Sequence, residues 1–342
     1  MTTNGPRAAT ARAVVFESRG RIGLANVDLS EPAGDEVLVR TLWSGISPGT
    51  EMLAYRGELD RSLPLDERIG ALSGTFDYPF RYGYSCVGRI ERSGAHGLEE
   101  GRLVFAFHPH QDRFVARADD VVPVDDVDPR VATLFPLVET ALQVALDAGS
   151  ILEEVVLVVG LGPVGILTAL MLQRAGADVI GSDPLGWRRA TAASVGLEAV
   201  TPEAIPDALS RGRSGRGGGR VSLIVEASGR PEALHDALGL LDREGEALVV
   251  SWYGTKEVSL PLGADFHRRR LRIRSTQVST IPARLGARWN VHRRRAVTRD
   301  LLDRLPVGVL ATHAFPFLQA ADAFAAVDRG EPGLVHAALC YT

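Results

Sequence analysis

The sequence predicts an α/β protein: a doubly wound parallel sheet, joined to a second, β-rich domain. Three observations predict this. Residues 11–124 carry short β-branched and aromatic runs cut by Gly, Pro and Asp. Residues 155–251 alternate compact apolar runs with amphipathic stretches, and a single helical stretch separates the two regimes. The 342 residues are enough for two domains of ordinary size.

In chain order, residues 11–16, 22–27 and 36–43 read as antiparallel strands. Residues 83–91, 103–107, 114–116 and 121–124 continue them, with Gly94, Gly101 and Pro109 as breakers. Apolar residues returning every three or four positions predict a helix over 129–148. A strand at 155–159, a glycine turn, a helix to 175 and a strand at 178–182 then form a βαβ unit, followed by another helix. The alternation goes on through a strand at 221–226, a helix at 231–241, a strand at 247–251 and an apolar, basic strand at 271–278. Helices at 287–304 and 318–327 precede a last strand at 334–341, and no internal repeat is visible.

Composition excludes several functions. Hydrophobic residues at 45% and charged residues at 23% match folded proteins and argue against disorder. Lys and Arg total 38 against 42 Asp and Glu, a net charge of −4, so no overall field favours a nucleic acid. The Arg/Gly run 211–220 reads as a solvated loop. Cys86 and Cys340 cannot build a disulfide framework or a four-thiolate zinc site, and residues 1–12 lack the apolar core of a signal peptide, which together point to the cytoplasm. The longest apolar stretch, 155–177, is broken by Gly160, Gly162, Pro163, Gly165, Gln173 and Arg174, so no membrane span is expected. Lys256 is the single lysine, which argues against Schiff-base chemistry.

The strongest motif is Gly160-Leu161-Gly162-Pro163-Val164-Gly165, after a strand and opening a helix. The first glycine permits the turn, the second lets a pyrophosphate approach the backbone, and the third lets helix pack on strand. The phosphates then meet the positive helix N-terminus, as in Rossmann domains. Asp183 ends the next strand, where a carboxylate accepts hydrogen bonds from ribose hydroxyls and repels a 2′-phosphate. NAD is therefore expected, with NADP kept open by Arg188 and Arg189. Ser228, Gly229, Ser251, Trp252 and Tyr253 follow later strands at the carboxyl ends where dinucleotides bind, although Trp252 and Tyr253 could instead pack a domain interface.

These features, with Gly45-Ile46-Ser47-Pro48-Gly49-Thr50-Glu51, Gly83-Tyr84-Ser85-Cys86-Val87-Gly88, Val225-Glu226-Ala227-Ser228-Gly229 and Gly330-Glu331-Pro332-Gly333, give a chain that resembles the medium-chain dehydrogenase/reductase superfamily along nearly its whole length. The run 43–51 is similar to a branch containing bacteriochlorophyllide dehydrogenases and uncharacterised bacterial relatives. The resemblance implies a split GroES-like catalytic domain, residues 1–140 and 282–342, around a Rossmann domain, 141–281. It also implies a homodimer through edge-strand pairing of the cofactor domains.

At the superfamily's zinc positions this sequence carries Ser47-Pro48 where relatives have a cysteine, and Tyr84-Ser85 where relatives have His-Glu. A hydroxyl is a poor zinc ligand, so no catalytic metal is expected there. Hydroxyls and imidazoles must then do the metal's work. Tyr84 stands at a lost ligand position and could polarise a carbonyl, relay a proton or only fill the vacated space. Thr50 matches the relatives' proton-relay hydroxyl, with Ser47 nearby, and each could equally cap backbone. Glu51 matches a structurally important acid of the relatives. Glu139 could serve as general base or form a buried ion pair, and Thr140 is better placed to touch cofactor. His108 and His110 form a His-x-His pair that could bind substrate, transfer a proton or join an atypical metal site, Pro109 suggesting a loop or strand edge. The runs His267-Arg268-Arg269-Arg270 and Arg293-Arg294-Arg295 could attract an anion but read as solvated surface. The expected reaction is hydride transfer between a nicotinamide cofactor and a secondary alcohol or ketone on a polar small molecule. The alternatives are an NADPH-dependent quinone or enone reductase and a catalytically inactive dinucleotide-binding protein.

Overall fold

The computed structural model describes residues 9–211 and 219–342, so residues 212–218 of the Arg/Gly run lie outside the described residues. The chain divides into two compact units: residues up to 136 together with those from 311, and residues 137–310. In chain order the first stretch holds strands β1 (Ala9–Ser18), β2 (Arg21–Leu29) and β3 (Glu36–Ile46) and helix α1 (Thr50–Arg56). Strands β4 (Cys86–Ser93), β5 (Leu103–Ala106), β6 (Arg113–Arg117) and β7 (Val121–Pro123) and the short helix α2 (Pro129–Ala132) follow. The second unit contains α3 (Phe135–Ala148), β8 (Val155–Val159), α4 (Pro163–Arg174), β9 (Asp178–Ser182), α5 (Gly186–Ser194), β10 (Glu198–Val200) and α6 (Ile205–Arg211). It continues with β11 (Val221–Glu226), α7 (Pro231–Leu238), β12 (Leu241–Val249), α8 (Asp265–Arg269), β13 (Arg272–Ser275) and α9 (Val291–Arg304). The return to the first unit carries β14 (His313–Pro316), α10 (Ala320–Asp328) and β15 (Ala337–Cys340).

In the first unit, β1 and β2 pair as an antiparallel hairpin beside a sheet ordered β14-β15-β3-β4-β5-β7, with β6 also paired to β3. The return strand β15 lies antiparallel to β3, Ala337 opposite Ile46 and Cys340 opposite Trp43, so the sheet joins residues from both ends of the sequence. An aromatic cluster beside α1 and α10 fills its core: Phe16 stacks on Phe80 at 5.1 Å and meets Phe324 edge-on at 5.3 Å. These contacts anchor α1, whose first turn carries the candidate catalytic residues.

The second unit is a parallel sheet ordered β10-β9-β8-β11-β12-β13, the doubly wound order with its crevice between β8 and β11. Runs such as Val155-Val156-Leu157-Val158-Val159 form central strands because β-branched side chains suit a sheet covered on both faces. Pro163 occupies the first turn of α4, where its missing N–H leaves no bond unmade. Among the described residues no helix is long and apolar enough to cross a membrane.

Several boundaries differ from the sequence expectation. The helix expected over 129–148 is two helices with a turn at Thr133 and Leu134, because Pro136 has no N–H to donate back into the preceding turn. The chain re-enters the first unit at Ala311, not at residue 282. Residues 282–310 stay with the second unit because α9 docks on α3 through buried polar groups described below. The short elements α1, β10, α8 and β14 were not expected at all.

Candidate functional site

In the second unit, the turn after β8 forms the dinucleotide cradle. Gly160 has φ +94°, and a side chain there would run into the backbone of Ala227 and Ser228 at distances down to 2.6 Å. A Cβ on Gly165 would collide with the Gly160 carbonyl, whereas one on Gly162 would meet nothing within 4 Å. The second glycine therefore borders open space at the start of α4, the local geometry a pyrophosphate needs. Val164, beside it in the first turn of α4, is half-buried.

Asp183 is 2% exposed and straps this turn: Leu161 N–H donates to its Oδ2 at 2.9 Å and Leu185 N–H to its Oδ1 at 2.9 Å. Arg188 reaches Oδ2 at 3.3 Å while lying over the Trp187 ring, and Arg189 donates to the Asp183 carbonyl at 2.7 Å. A carboxylate has about four acceptor positions, and these contacts leave one for a ribose hydroxyl.

On the far side of the crevice the structure adds a residue to which sequence reasoning gave no role. Glu226, fully buried at the end of β11, accepts from Ser228 N–H at 2.8 Å, from Ser228 Oγ and from Tyr253 OH at 2.7 Å. Gly229 N–H donates to Ser251 Oγ at 2.8 Å. Glu226 thus ties together the loops after β11 and β12; its signal in the sequence was an acid ending an otherwise apolar strand. Burial, and then the Glu226 carboxylate, hold the Tyr253 phenol well above its usual range. Trp252 is 44% exposed.

In the first unit, the turn Ser47-Pro48-Gly49 leads from β3 into α1. Ser47 N–H donates to Glu51 Oε1 at 2.9 Å, closing the turn. Half-buried Tyr84 comes off the lead into β4, and its phenol lies near the side chains of Ser47 and Thr50, whose hydroxyls act on it to lower its pKa. Burial, and next the negative charge of Glu51, keep that phenol protonated far above neutral pH. The structure thus brings Tyr84, Ser47 and Thr50 together.

It separates the two histidines. His110 is fully buried, with Nε2 2.8 Å from Glu51 Oε2 and Nδ1 2.7 Å from Ser44 Oγ, and Ser44 Oγ is 2.8 Å from Tyr341 OH. Gly83 sits at φ +107° directly against this ring, and a Cβ there would come within 2.5 Å of Cδ2. His108 stacks on Phe114 at 4.2 Å, with Nδ1 3.0 Å from the Pro109 carbonyl. The pair lies in the loop between β5 and β6 and does not converge on one point. Among the described residues no group of three or more His, Cys, Asp or Glu is placed to hold a metal ion. With hydroxyls at Ser47 and Tyr84, and Glu51 engaged by Ser47 and His110, this donor set does not fit a zinc ion.

Two imidazoles of the first unit predict a pH response. Burial pushes His108 down to about 4 and His336, 2% exposed in the same unit, down to about 3. Below about pH 6.5 the unfolded chain binds protons that the folded chain refuses. Stability present above that pH is therefore lost as pH falls through the window, by up to about 1.4 kcal/mol per unit per imidazole. Calorimetric Tm should fall between pH 7 and 4.5, less steeply in His336→Leu; equal slopes would refute the assignment.

Glu139 is 3% exposed and paired with Arg294, Nε to Oε1 at 3.0 Å, while Arg294 Nη1 donates to Gln143 Oε1 at 2.7 Å. Gln143 in turn donates to Asp147 Oδ2 at 3.2 Å, and Thr276 OH donates to the same oxygen at 2.7 Å. The three residues, four apart on one face of α3, lock α9 and β13 against it. Burial raises the Glu139 carboxyl and the Arg294 charge opposes it. The structure thus gives the ion-pair alternative for Glu139, and it corrects Arg294 from solvated surface to the core, 3% exposed. Thr140, the next residue, is half-buried.

Comparison with known proteins agrees with this architecture. Residues 163–289 match the family model described as zinc-binding dehydrogenase. The chain is 28% identical over 334 residues to 2-desacetyl-2-hydroxyethyl bacteriochlorophyllide A dehydrogenase of Cereibacter sphaeroides, covering 92% of this chain and 93% of that one. It is 31% identical over 268 residues to L-threonine 3-dehydrogenase of Pyrococcus abyssi, covering 68% of this chain and 73% of that one. A solved Escherichia coli oxidoreductase/dehydrogenase of unknown specificity involved in membrane biogenesis superposes with a TM-score of 0.79 at 16% identity, covering 98% of this chain and 100% of that chain.

Proposed function

We propose that this chain, which belongs to the medium-chain dehydrogenase/reductase superfamily, is a zinc-independent, NAD-preferring enzyme that interconverts a secondary alcohol and a ketone on a polar small molecule. That it is an oxidoreductase of the alcohol dehydrogenase type, using a nicotinamide dinucleotide, follows from the membership itself. The finer reading is carried by one observation: three hydroxyls, Tyr84, Ser47 and Thr50, lie together at the positions where zinc-dependent relatives place metal ligands and a relay hydroxyl.

When bound, the nicotinamide supplies or accepts the hydride. The chain's own residues do the rest. The Gly160–Gly165 turn and the amino end of α4 hold the pyrophosphate, the remaining acceptor position on Asp183 takes a ribose hydroxyl, and Ser228, Gly229 and Ser251 line the loops after β11 and β12. Tyr84 OH donates to the substrate oxygen as it gains charge, while Ser47 and Thr50 orient the phenol. We also propose that the partner is a second copy of the chain, added along edge strand β13, whose outer side no described strand covers.

The preference for NAD rests on Asp183, since a buried carboxylate repels a 2′-phosphate even with Arg188 beside it. Asp183→Ala should weaken NADH binding by roughly 10- to 100-fold, the loss of one charged hydrogen bond, and narrow the preference over NADPH. Calorimetric titration of metal-stripped protein with NAD⁺, NADH, NADP⁺ and NADPH, with metal content read on the same sample and turnover tested on polyols and their ketones, decides the reading. Tight NADH binding with turnover and no metal supports it. Selective NADPH binding, or one tightly held zinc per chain required for turnover, would overturn it.

A further inference from the structure

One buried side chain pins both loops at the carboxyl end of β11 and β12. Glu226 closes β11 and is 0% exposed. In the loop after β11 its Oε1 accepts from Ser228 N–H at 2.8 Å and from Ser228 Oγ. In the loop after β12 its Oε2 accepts from Tyr253 OH at 2.7 Å, and its main-chain carbonyl accepts from Val250 N–H at 2.9 Å and Ser251 N–H at 3.2 Å. Gly229 joins the same loops a second time: its N–H donates to Ser251 Oγ at 2.8 Å, and its carbonyl accepts from Lys256 Nζ at 3.3 Å. The two serines differ in what they have left to give. Ser228 spends its hydroxyl hydrogen on Glu226 and accepts from Arg230 N–H at 3.1 Å. Ser251 Oγ is fixed by the Gly229 N–H, but its own hydrogen goes to no acceptor among the described residues, and the residue is half-buried. Ser251 is therefore a donor held in place with its hydrogen unspent.

We propose that Glu226 is the positioning residue for the nicotinamide half of the dinucleotide, and that through Ser228 and Gly229 it sets Ser251 Oγ to donate a hydrogen bond to that half. This deepens the cofactor part of the reading above and rests on it. A dinucleotide laid across the crevice puts one mononucleotide on each half of the sheet. Asp183, with its remaining acceptor position for a ribose hydroxyl, marks the side of β8 and β9 as the adenosine half, which leaves β11 and β12 to the nicotinamide half. The glycine turn that meets the pyrophosphate has anchors of its own, Gly160 N–H to the Ser182 carbonyl at 2.8 Å and Leu161 N–H to Asp183 at 2.9 Å. Removing the Glu226 carboxylate therefore loosens one half of the site and leaves the other standing. Hydride transfer needs the nicotinamide ring held in a single orientation, so the loops that must not move are the two that Glu226 joins.

Calorimetric titration with two probes, NADH and ADP, tests this without a substrate, because ADP carries the adenosine and pyrophosphate and lacks the nicotinamide half. Glu226→Leu should weaken NADH binding about tenfold or more and leave ADP binding within about twofold of the native protein. Glu226→Gln should stay within about threefold for both probes, since its amide oxygen still accepts from Ser228 and its amide N–H can donate to the Tyr253 oxygen. Ser251→Ala should weaken NADH by about three- to tenfold, the worth of one neutral hydrogen bond, and again spare ADP. Equal losses of NADH and ADP, a Gln variant as weak as Leu, or NADH binding unmoved in Ser251→Ala would each overturn the proposal. If Glu226→Leu does not fold, Ser251→Ala and Tyr253→Phe decide by the same comparison, and both must weaken NADH while sparing ADP. Should the native chain prefer NADPH, NADPH and 2′-phospho-ADP make the same comparison, so a wrong cofactor preference defeats the proposed function and leaves this reading intact.

Discussion

Replacing Tyr84 by Phe should lower turnover by about 10²- to 10⁴-fold, the range for losing a positioned proton donor, with dinucleotide affinity unchanged. The substitution is mild for the fold. The ring keeps its edge contact with Tyr82 at 6.1 Å, and only the hydroxyl beside Ser47 and Thr50 disappears, at a cost of about 1 kcal/mol or less. Stopped-flow turnover with calorimetric NADH binding on the same preparation separates chemistry from cofactor capture. Unchanged turnover in Tyr84→Phe would remove the hydroxyl cluster from the mechanism; a parallel fall in binding and turnover would point to damage instead.

The largest effect on stability should come from Arg294→Met. That change strands Glu139 as an uncompensated buried carboxylate and takes a donor from Gln143, and breaking one partner of such a pair costs about 3–5 kcal/mol. The double variant Glu139→Met/Arg294→Met should recover most of that loss, because two apolar side chains of similar length remove both charges together. Urea midpoints of the single and double variants read this directly. If the double variant were no more stable than Arg294→Met, the pair would not be the source of the loss.

What could be read from the sequence depended on how local the determinant was. The dinucleotide cradle is legible because Gly160, Gly162 and Gly165 act within one turn, and the steric need of each follows from spacing alone. Tyr84, Ser47 and Thr50 could be proposed as partners through the positions they share with the superfamily. Arg294 could not be placed, since its partner Glu139 lies 155 residues away and a run of three arginines carries no sign of which one turns inward. His110 was seen as a candidate, yet its bonds to Glu51 and Ser44 depend on how the loop after β5 folds over β3 and α1, and no periodicity encodes that. Pro136 alone carried the signal that 129–148 would split. Short elements such as α1 present too few turns for an apolar pattern to show.

The position of β15 in its sheet has a consequence for how the molecule is made. β3 is complete by Ile46, but its neighbour β15 comes only at residues 337–340, and Tyr341, which closes the bond to Ser44, comes later still. The second unit, by contrast, is one unbroken stretch from Leu137 to Leu310. On a ribosome it can therefore mature while the first unit waits with an unpaired edge, and the long loop that must close around it makes that wait the slow step of biogenesis.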